Sequence, residues 1–386
     1  MIWHLVTGEY PPDCGGVGDY SAILARELVR AGDEVFVWVP GLEANHAEHS
    51  DGRFHLLPLP DRFGPHSKDV LARAWRDHPG IVLLQYVPNA LGAKGANLRF
   101  CRWLHAAAHG GLDIRVMFHE PYFYFSTERP WRNLLAVVQR MMAVELIKAS
   151  RCLYVSSDAW LRCLEPYGHL PPSRTLPIPS TIPDTADPER VRQFRGLIRR
   201  ETSAPVIGHF GTYGDHMSSA LAAVVPAIAE QLPLARFAFI GARSGPFLER
   251  LTTKCQALQE RSWTSGRLGS TDVAAALRAC DLLVQPYPDG VTTRRTTVMA
   301  GLANAVPVVT TDGLLTEAVW RDTHAPRLAP AGNVAQIADA AHRLIDAPAD
   351  RAALGRAGRQ LYLDRFSIER TVDALRAPQP IEAVAG

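Results

Sequence analysis

The chain has 386 residues, 47% hydrophobic and 21% charged, with a formal net charge of +2. That length suits two domains rather than one core, and that balance gives no global pull toward nucleic acid or an anionic membrane. The six cysteines are scattered with no C-x-x-C pair, which argues against a zinc site or a disulfide framework and fits a reduced cytosolic compartment.

The opening MIWHLVTGEY reads as a strand and a turn, without the basic start and apolar stretch of a signal peptide. No apolar run is long enough to span a bilayer. A soluble or peripheral protein is expected. Ile2–Thr7, Val35–Val39, Ile81–Tyr86, Ile114–His119 and Cys152–Ser156 have the continuous apolar character of strands buried in a parallel sheet. Tyr20 to Ala31 is predicted as a helix, with Tyr20, Ile23, Leu24, Leu28 and Ala31 on one face and Gly32 ending it. The prolines and small polar residues of LPIPSTIPDTADPER, within residues 176–204, read as a linker. A second strand series follows: Val206–Phe210, Phe237–Ile240, Leu282–Gln285 and Val306–Thr310. A closing helix starts near Ser367, a good N-cap, and carries Ile368, Thr371, Val372 and Leu375 on one face. The tail after Pro378 has no periodicity and reads as loose. This alternation predicts two doubly wound α/β domains with Rossmann-like parallel sheets, facing each other across a cleft and taking ligands beyond the carboxyl ends of their strands.

Three stretches carry chemistry. GEYPPDCGGVGDY lies between the first strand and the first helix, and Gly15, Gly16 and Gly18 permit close backbone approach to a ligand. The alternative is a tight strand-to-helix turn. The spacing is not G-x-G-x-x-G, and Trp38-Val39-Pro40 stands where a dinucleotide fold needs an acidic residue, so a nicotinamide dehydrogenase is disfavoured. His119 ends a strand at the sheet edge, where a histidine is commonly satisfied by backbone; Glu120 follows it. Tyr122-Phe123-Tyr124-Phe125 reads either as a stacking platform for sugar rings or as packing under a loop. Residues 129–150, RPWRNLLAVVQRMMAVELIKAS, read as an interfacial helix with a stripe of Arg129, Arg132 and Arg140 or, more simply, as a core helix with one solvated face.

The third stretch is the most informative: DLLVQPYPDGVTTRRTTVMAGLANAVPVVTT, from Asp281 to Thr311. It reads as strand, polar loop, helix and strand, with Arg294 and Arg295 where the helix begins. A helix N-terminus offers unpaired N–H donors and a partial positive charge, and guanidiniums beside it clamp phosphate oxygens. A carboxylate repels phosphate, so Asp289 suits sugar hydroxyls. One loop with both chemistries suggests a ligand that is half diphosphate and half sugar.

YPPxxGGVGxY before an amphipathic helix ending AGDEV, then FHE at Phe118–Glu120, then RACDLLVQPYPDG and PVVTT together resemble family 4 (group 1) retaining glycosyltransferases of GT-B fold. The resemblance covers most of the chain and is weakest over residues 41–79 and the linker. It implies residues 1–180 as an acceptor-side domain, 181–204 as linker and 205–366 as a nucleotide-sugar donor domain. The closing helix (about 367–377) would pack back on the first. It implies transfer of a sugar to a glycan, lipid-linked or small-molecule hydroxyl, with no cofactor and no metal. By the same resemblance Gly15, Gly16, Gly211, Thr212, Gly266, Arg267, Gly290, Arg294, Arg295, Thr296 and Thr297 are donor-binding. Asp289 and His119 become catalytic residues that hold and orient the donor sugar. Glu120 and Tyr122 become acceptor-side residues. The partners implied are a nucleotide sugar and that acceptor, with no nucleic acid and with optional contact at the inner face of the membrane.

The sequence departs from the family at three places. Asp289 replaces the first signature glutamate and Thr297 the second, which commonly holds the nucleotide ribose. The usual Arg and Lys after the first strand of the second domain are missing, and GTYGDHMSS stands there, with Thr212 and His216 but no permanent cation. Arg294 and Arg295 are expected to compensate, because without metal the leaving diphosphate is stabilised by dipoles and cations already in place. A non-catalytic nucleotide-sugar-binding protein and a nucleotide-sugar epimerase or hydrolase of the same fold stand as alternatives.

Overall fold

The computed structural model describes residues 1–11, 15–41, 49–50, 52–200 and 202–378. Pro12, Asp13 and Cys14 of the glycine-rich stretch and the tail from residue 379 lie outside the described residues. The chain forms two compact units: Met1–Pro177 with the segment from Thr371 onward, and Ile178–Arg370.

The strands of the first unit are β1 (Ile2–Thr7), β2 (Glu34–Pro40), β3 (His49–Ser50), β4 (Phe54–Leu59), β5 (Ile81–Tyr86), β6 (Asp113–Phe118), β7 (Cys152–Val155) and β8 (Ser173–Thr175). They lie in the order β3-β4-β2-β1-β5-β6-β7-β8, and each pairing is parallel except β3 with β4. The strand order therefore reverses between β1 and β5, the point where doubly wound sheets take ligands. The apolar runs are buried on both faces, as a covered parallel sheet requires: Leu5, Val37, Leu84, Val116 and Leu153 are inaccessible. β6 and β7 end one residue earlier than expected. His119 and Ser156 thus stand just past the carboxyl edge, where their N–H groups still bond Tyr86 and Phe118 carbonyls.

The first helix runs Gly16–Arg30 and begins about a turn before the expected Tyr20. Gly32, at φ +89°, closes it with its N–H on the Val29 carbonyl. The closing helix, Ile368–Arg376, buries Thr371, Val372 and Leu375. Arg115 Nη1 donates to the Leu375 carbonyl at 2.8 Å and Arg376 Nε lies 3.3 Å from Asp33 Oδ2, which tie its end to the first unit.

The second unit has β9 (Val206–Phe210), β10 (Arg236–Ile240), β11 (Ser262–Thr264), β12 (Leu282–Gln285), β13 (Val308–Asp312) and β14 (Arg327–Pro330). All pair in parallel, in the order β11-β10-β9-β12-β13-β14, with the reversal between β9 and β12. Residues 181–204, expected as a linker, hold the helix Pro188–Arg199. Asp187 caps it by accepting from Glu189 N, and Pro188 fills its first turn, where no N–H is needed. Phe194 and Ile198 enter the core of this unit, and Arg195 and Arg199 bind Asp281 at 2.5 and 3.1 Å. The Asp-Pro pair that reads as linker punctuation is here a helix start. Among the described residues no helix is long and apolar enough to cross a membrane.

Candidate functional site

The second unit carries a cavity of about 640 Å³ at the carboxyl ends of β9 and β12, where the strand order reverses. The loop after β9 (Gly211 to Gly214) forms one wall, and the loop after β12, with the start of helix Thr296–Ala303, forms the other. A second helix, Asp215–Gln231, also begins at its rim. Seven residues expected at the donor site line this one space: Gly211, Thr212, Asp289, Arg294, Arg295, Thr296 and Thr297.

Their partners refine the roles expected of them. Arg295 Nη2 bonds both oxygens of Asp289, at 2.7 and 2.9 Å, and its guanidinium lies 4.3 Å from the centroid of Tyr287. The buried Tyr287 hydroxyl pairs with Thr297 Oγ1 at 2.5 Å, and burial raises the phenol's pKa above its ordinary value. Thr297 thus meets a tyrosine where a carboxylate was expected to serve a ribose. Asp215 adds a second carboxylate to the lining. The two arginines are therefore balanced formally by two aspartates, and the remaining positive polarity comes from the two helix N-termini.

Backbone geometry explains the glycines. The Gly211 N–H donates to the Ile240 carbonyl, so it extends the sheet and is not a free amide for phosphate. Gly290 has φ +93° and is packed so closely that a Cβ would lie 2.2 Å from Thr316 Oγ1. Gly266 and Arg267 follow β11, outside the cavity lining, and the Gly266 N–H donates to Ser244 Oγ at 3.1 Å.

The loop that bears the arginines is held from below by a residue the sequence did not flag. Glu317 is 5% exposed; it accepts from Thr293 N at 2.9 Å, Thr293 Oγ1 at 2.7 Å and Trp320 Nε1 at 2.9 Å. A lone glutamate before a five-residue helix, Ala318–Asp322, gives no periodic signal. His209 and Gln285 are two further buried polar residues of the lining that sequence reading passed over as strand interior.

In the first unit, His119 is buried, with Nε2 2.8 Å from Gln85 Oε1 and Tyr20 edge-on at 5.1 Å. Burial lowers its pKa to about 3, so the ring is neutral at ordinary pH. Facing an acceptor oxygen, Nε2 carries the proton. Glu120 is exposed. The Tyr122 hydroxyl donates to the Cys163 carbonyl at 2.7 Å and its ring lies 4.1 Å from the Arg140 guanidinium, so its polar end is committed within the protein. Gly15 and Gly16 sit at the start of the first helix, where the Glu9 carboxylate is already seated. Its Oε1 accepts from Val17 N at 3.1 Å and Gly18 N at 3.2 Å. Among the described residues no three His, Cys, Asp or Glu side chains converge as a metal site requires.

Residues 204–347 match the family model described as Glycosyl transferases group 1. That stretch of the chain is similar to group 1 glycosyl transferases. The matched domain contains the whole cavity and both of its arginines. Solved structures extend the likeness over the full fold. The sucrose-phosphate synthase (tll1590) of Thermosynechococcus elongatus aligns with a TM-score of 0.73 at 15% identity, over 97% of this chain and 98% of that one. A glycosyltransferase from Rickettsia africae ESF-5 aligns at 0.72 and 13% identity, over 97% and 96%. Anabaena Alr3699/HepE, solved in complex with UDP and glucose, aligns at 0.67 and 13% identity, over 97% and 99%. The fold is thus GT-B, two Rossmann-like domains in one chain. No curated protein matches the sequence.

Proposed function

We propose that this protein is a retaining glycosyltransferase that moves a sugar from a nucleoside-diphosphate sugar to an acceptor hydroxyl without a catalytic metal. The observation that carries this is the cavity at the β9/β12 reversal, where Arg294, Arg295 and two helix N-termini meet inside the matched domain. Anions are favoured there by the helix dipoles and by Arg294. Asp289 and Arg295 enter as a pair: a diphosphate that draws Arg295 away releases the carboxylate for sugar hydroxyls. Retention and metal independence rest on the resemblance of the signature residues. UDP sugars are the first donors to test, because HepE was solved with UDP-glucose and an E. coli trehalose-6-phosphate protein with UDP-2-fluoro glucose.

The acceptor side of the reading is supported by the surface of the first unit. Six of the twelve exposed large hydrophobic side chains among the described residues fall in one short stretch: Tyr124, Phe125, Trp131, Leu134, Val137 and Met141. Arg132 stacks on Phe123 at 4.3 Å, and Arg140 on Tyr122 and Phe125 at 4.1 Å, which braces this aromatic run. An apolar helix face with a basic rim suits an anionic bilayer surface. This face supports a proposal of peripheral membrane contact and a lipid-linked or polysaccharide acceptor; a cytoplasmic location is proposed on the scattered cysteines alone. Co-sedimentation with phosphatidylglycerol vesicles at low salt, lost in Trp131→Ser/Leu134→Ser, is the expected result.

A non-catalytic, nucleotide-sugar-binding protein is the second reading, favoured by the locked Asp289–Arg295 pair and by Thr297 in place of a carboxylate. A thermal-shift screen with UDP, GDP, ADP and dTDP sugars tests both, since a ligand bound only by the native state raises Tm by mass action. A shift with one nucleotide together with product formed on an acceptor supports the transferase. A shift with no product from any acceptor favours the second reading. No shift with any sugar nucleotide removes both.

A further inference from the structure

The floor of the cavity holds two buried polar groups that the reading above does not use. His209, in β9, is 2% exposed, and neither Nδ1 nor Nε2 has a hydrogen-bond partner in the protein. Burial lowers its pKa to about 3, so the imidazole is neutral. Tyr213 packs edge-on to it at 4.9 Å and donates its hydroxyl to the His209 carbonyl at 3.1 Å. The Cε1 edge of the ring lies under Gly211, where a Cβ would come within 3.0 Å of Cε1 and 3.6 Å of Nε2, so only a glycine backbone separates this edge of the ring from the loop above it. Gln285 ends β12 and is fully buried. Its Nε2 donates to the Phe210 carbonyl at 3.0 Å, which fixes the amide and leaves Oε1 without a donor. Both side chains line the same cavity.

Buried polar groups are paired almost everywhere in folded proteins, and unpaired ones cluster where a ligand completes them. We propose that His209 and Gln285 form a hydrogen-bonding floor that holds a hydroxyl-bearing ring of the ligand and so determines which ligand fits. Gln285 Oε1 can only accept, so it repels a phosphate oxygen and selects an O–H or N–H group. A neutral imidazole offers one N–H and one lone pair, which complements a hydroxyl in either direction. The anionic part of the ligand is thereby directed to the other wall, at Arg294 and the start of the helix Thr296–Ala303. The ring is either the pentose of the nucleoside or the sugar to be transferred. This assignment rests on the nucleotide-sugar reading of the cavity.

The test uses the full chain with His209→Leu and Gln285→Met, apolar replacements of similar size. Each is followed by thermal unfolding without ligand and by titration calorimetry with UDP, 2′,3′-dideoxy-UDP and UDP-glucose. For His209→Leu, which removes a ring with no partner, Tm is unchanged or rises. Gln285→Met also loses the bond to the Phe210 carbonyl and lowers Tm modestly. In both, affinity falls on the order of tenfold or more. If the floor reads the pentose, the loss appears with UDP and vanishes with the dideoxy compound. If it reads the transferred sugar, UDP binds as to wild type and only UDP-glucose is weakened. Unchanged affinity of both variants for all three overturns the assignment alone. So does a marked fall in Tm for His209→Leu, which shows that the ring is satisfied structurally. Failure of the wild type to bind any of the three removes the uridine reading of the cavity and this floor as a reader of uridine nucleotides; the nucleotide reading as a whole falls only if GDP, ADP and dTDP sugars also leave Tm unmoved.

Discussion

Arg295 Nη2 and the carboxylate of Asp289 hold each other in the wall of the cavity, at 2.7 and 2.9 Å. The side chains retain 25% and 36% of their exposure, so solvent screens the pair and its net contribution to stability is small, on the order of 1 kcal/mol or less. Its consequence is functional: each group is masked from the ligand by the other. Asp289→Asn is expected to free the guanidinium and tighten UDP about threefold to tenfold, while transfer is lost with the carboxylate. Arg295→Ala should weaken UDP instead. Calorimetry on both variants and the double variant measures this, and equal weakening of UDP by both substitutions contradicts the masking.

The loop bearing that pair depends on Glu317. Thr293 N, Thr293 Oγ1 and Trp320 Nε1 all donate to this buried carboxylate. Glu317→Ala leaves buried donors unsatisfied and should cost about 3 kcal/mol. Glu317→Gln, which keeps one acceptor oxygen, should cost less. Urea unfolding gives the comparison, and a loss under about 0.5 kcal/mol for Glu317→Ala shows that the loop is held elsewhere.

The two sheets were legible because a covered parallel strand must be apolar on both faces, and runs such as IWHLVT and LLVQ announce themselves. The helix Pro188–Arg199 was not, because Pro at a helix start and Pro in a linker are the same letter, and only its buried Phe194 and Ile198 distinguish them. Arg294, Arg295 and Asp289 were legible as charges gathered on one loop, and all three line one cavity; the Arg295–Asp289 pairing was not legible, since spacing alone does not say which charges face each other. His209 and Gln285 were hidden for the opposite reason. Each sits among apolar residues, and only their missing hydrogen bonds mark them.

Acid should expose the cost of the buried histidines. Burial lowers the pKa of His119 and of His209 to about 3, and it lowers that of His4 below its ordinary value. The unfolded chain binds protons near pH 6.5 and the folded one does not until far lower. Stability from these groups is therefore complete above about pH 6.5 and is lost as pH falls toward 3, at about 1.4 kcal/mol per pH unit for each fully buried ring. Because His209 is the unpaired one, His209→Leu should flatten the fall of the second unit's stability between pH 6.5 and 4. Urea midpoints across that range follow it, and a parallel loss in wild type and variant contradicts the burial argument.

Glu9 and Gly15 form the corresponding relationship in the first unit. The Glu9 carboxylate occupies the N-terminus of helix Gly16–Arg30, and a Cβ on Gly15 would lie 2.3 Å from Glu9 Cδ. The glycine therefore serves the glutamate, and any anion arriving at that helix end must first displace it. Glu9→Ala should cost about 1 kcal/mol through the lost cap and charge–dipole attraction. Gly15→Ala should cost at least as much in wild type, because the new methyl group evicts the carboxylate. The same change in the Glu9→Ala background meets no such clash, so the two losses should fall short of additivity by about 1 kcal/mol. A double-mutant cycle in urea measures the coupling. Strict additivity means that the carboxylate does not rest on the glycine, and the helix end is then open to a ligand after all.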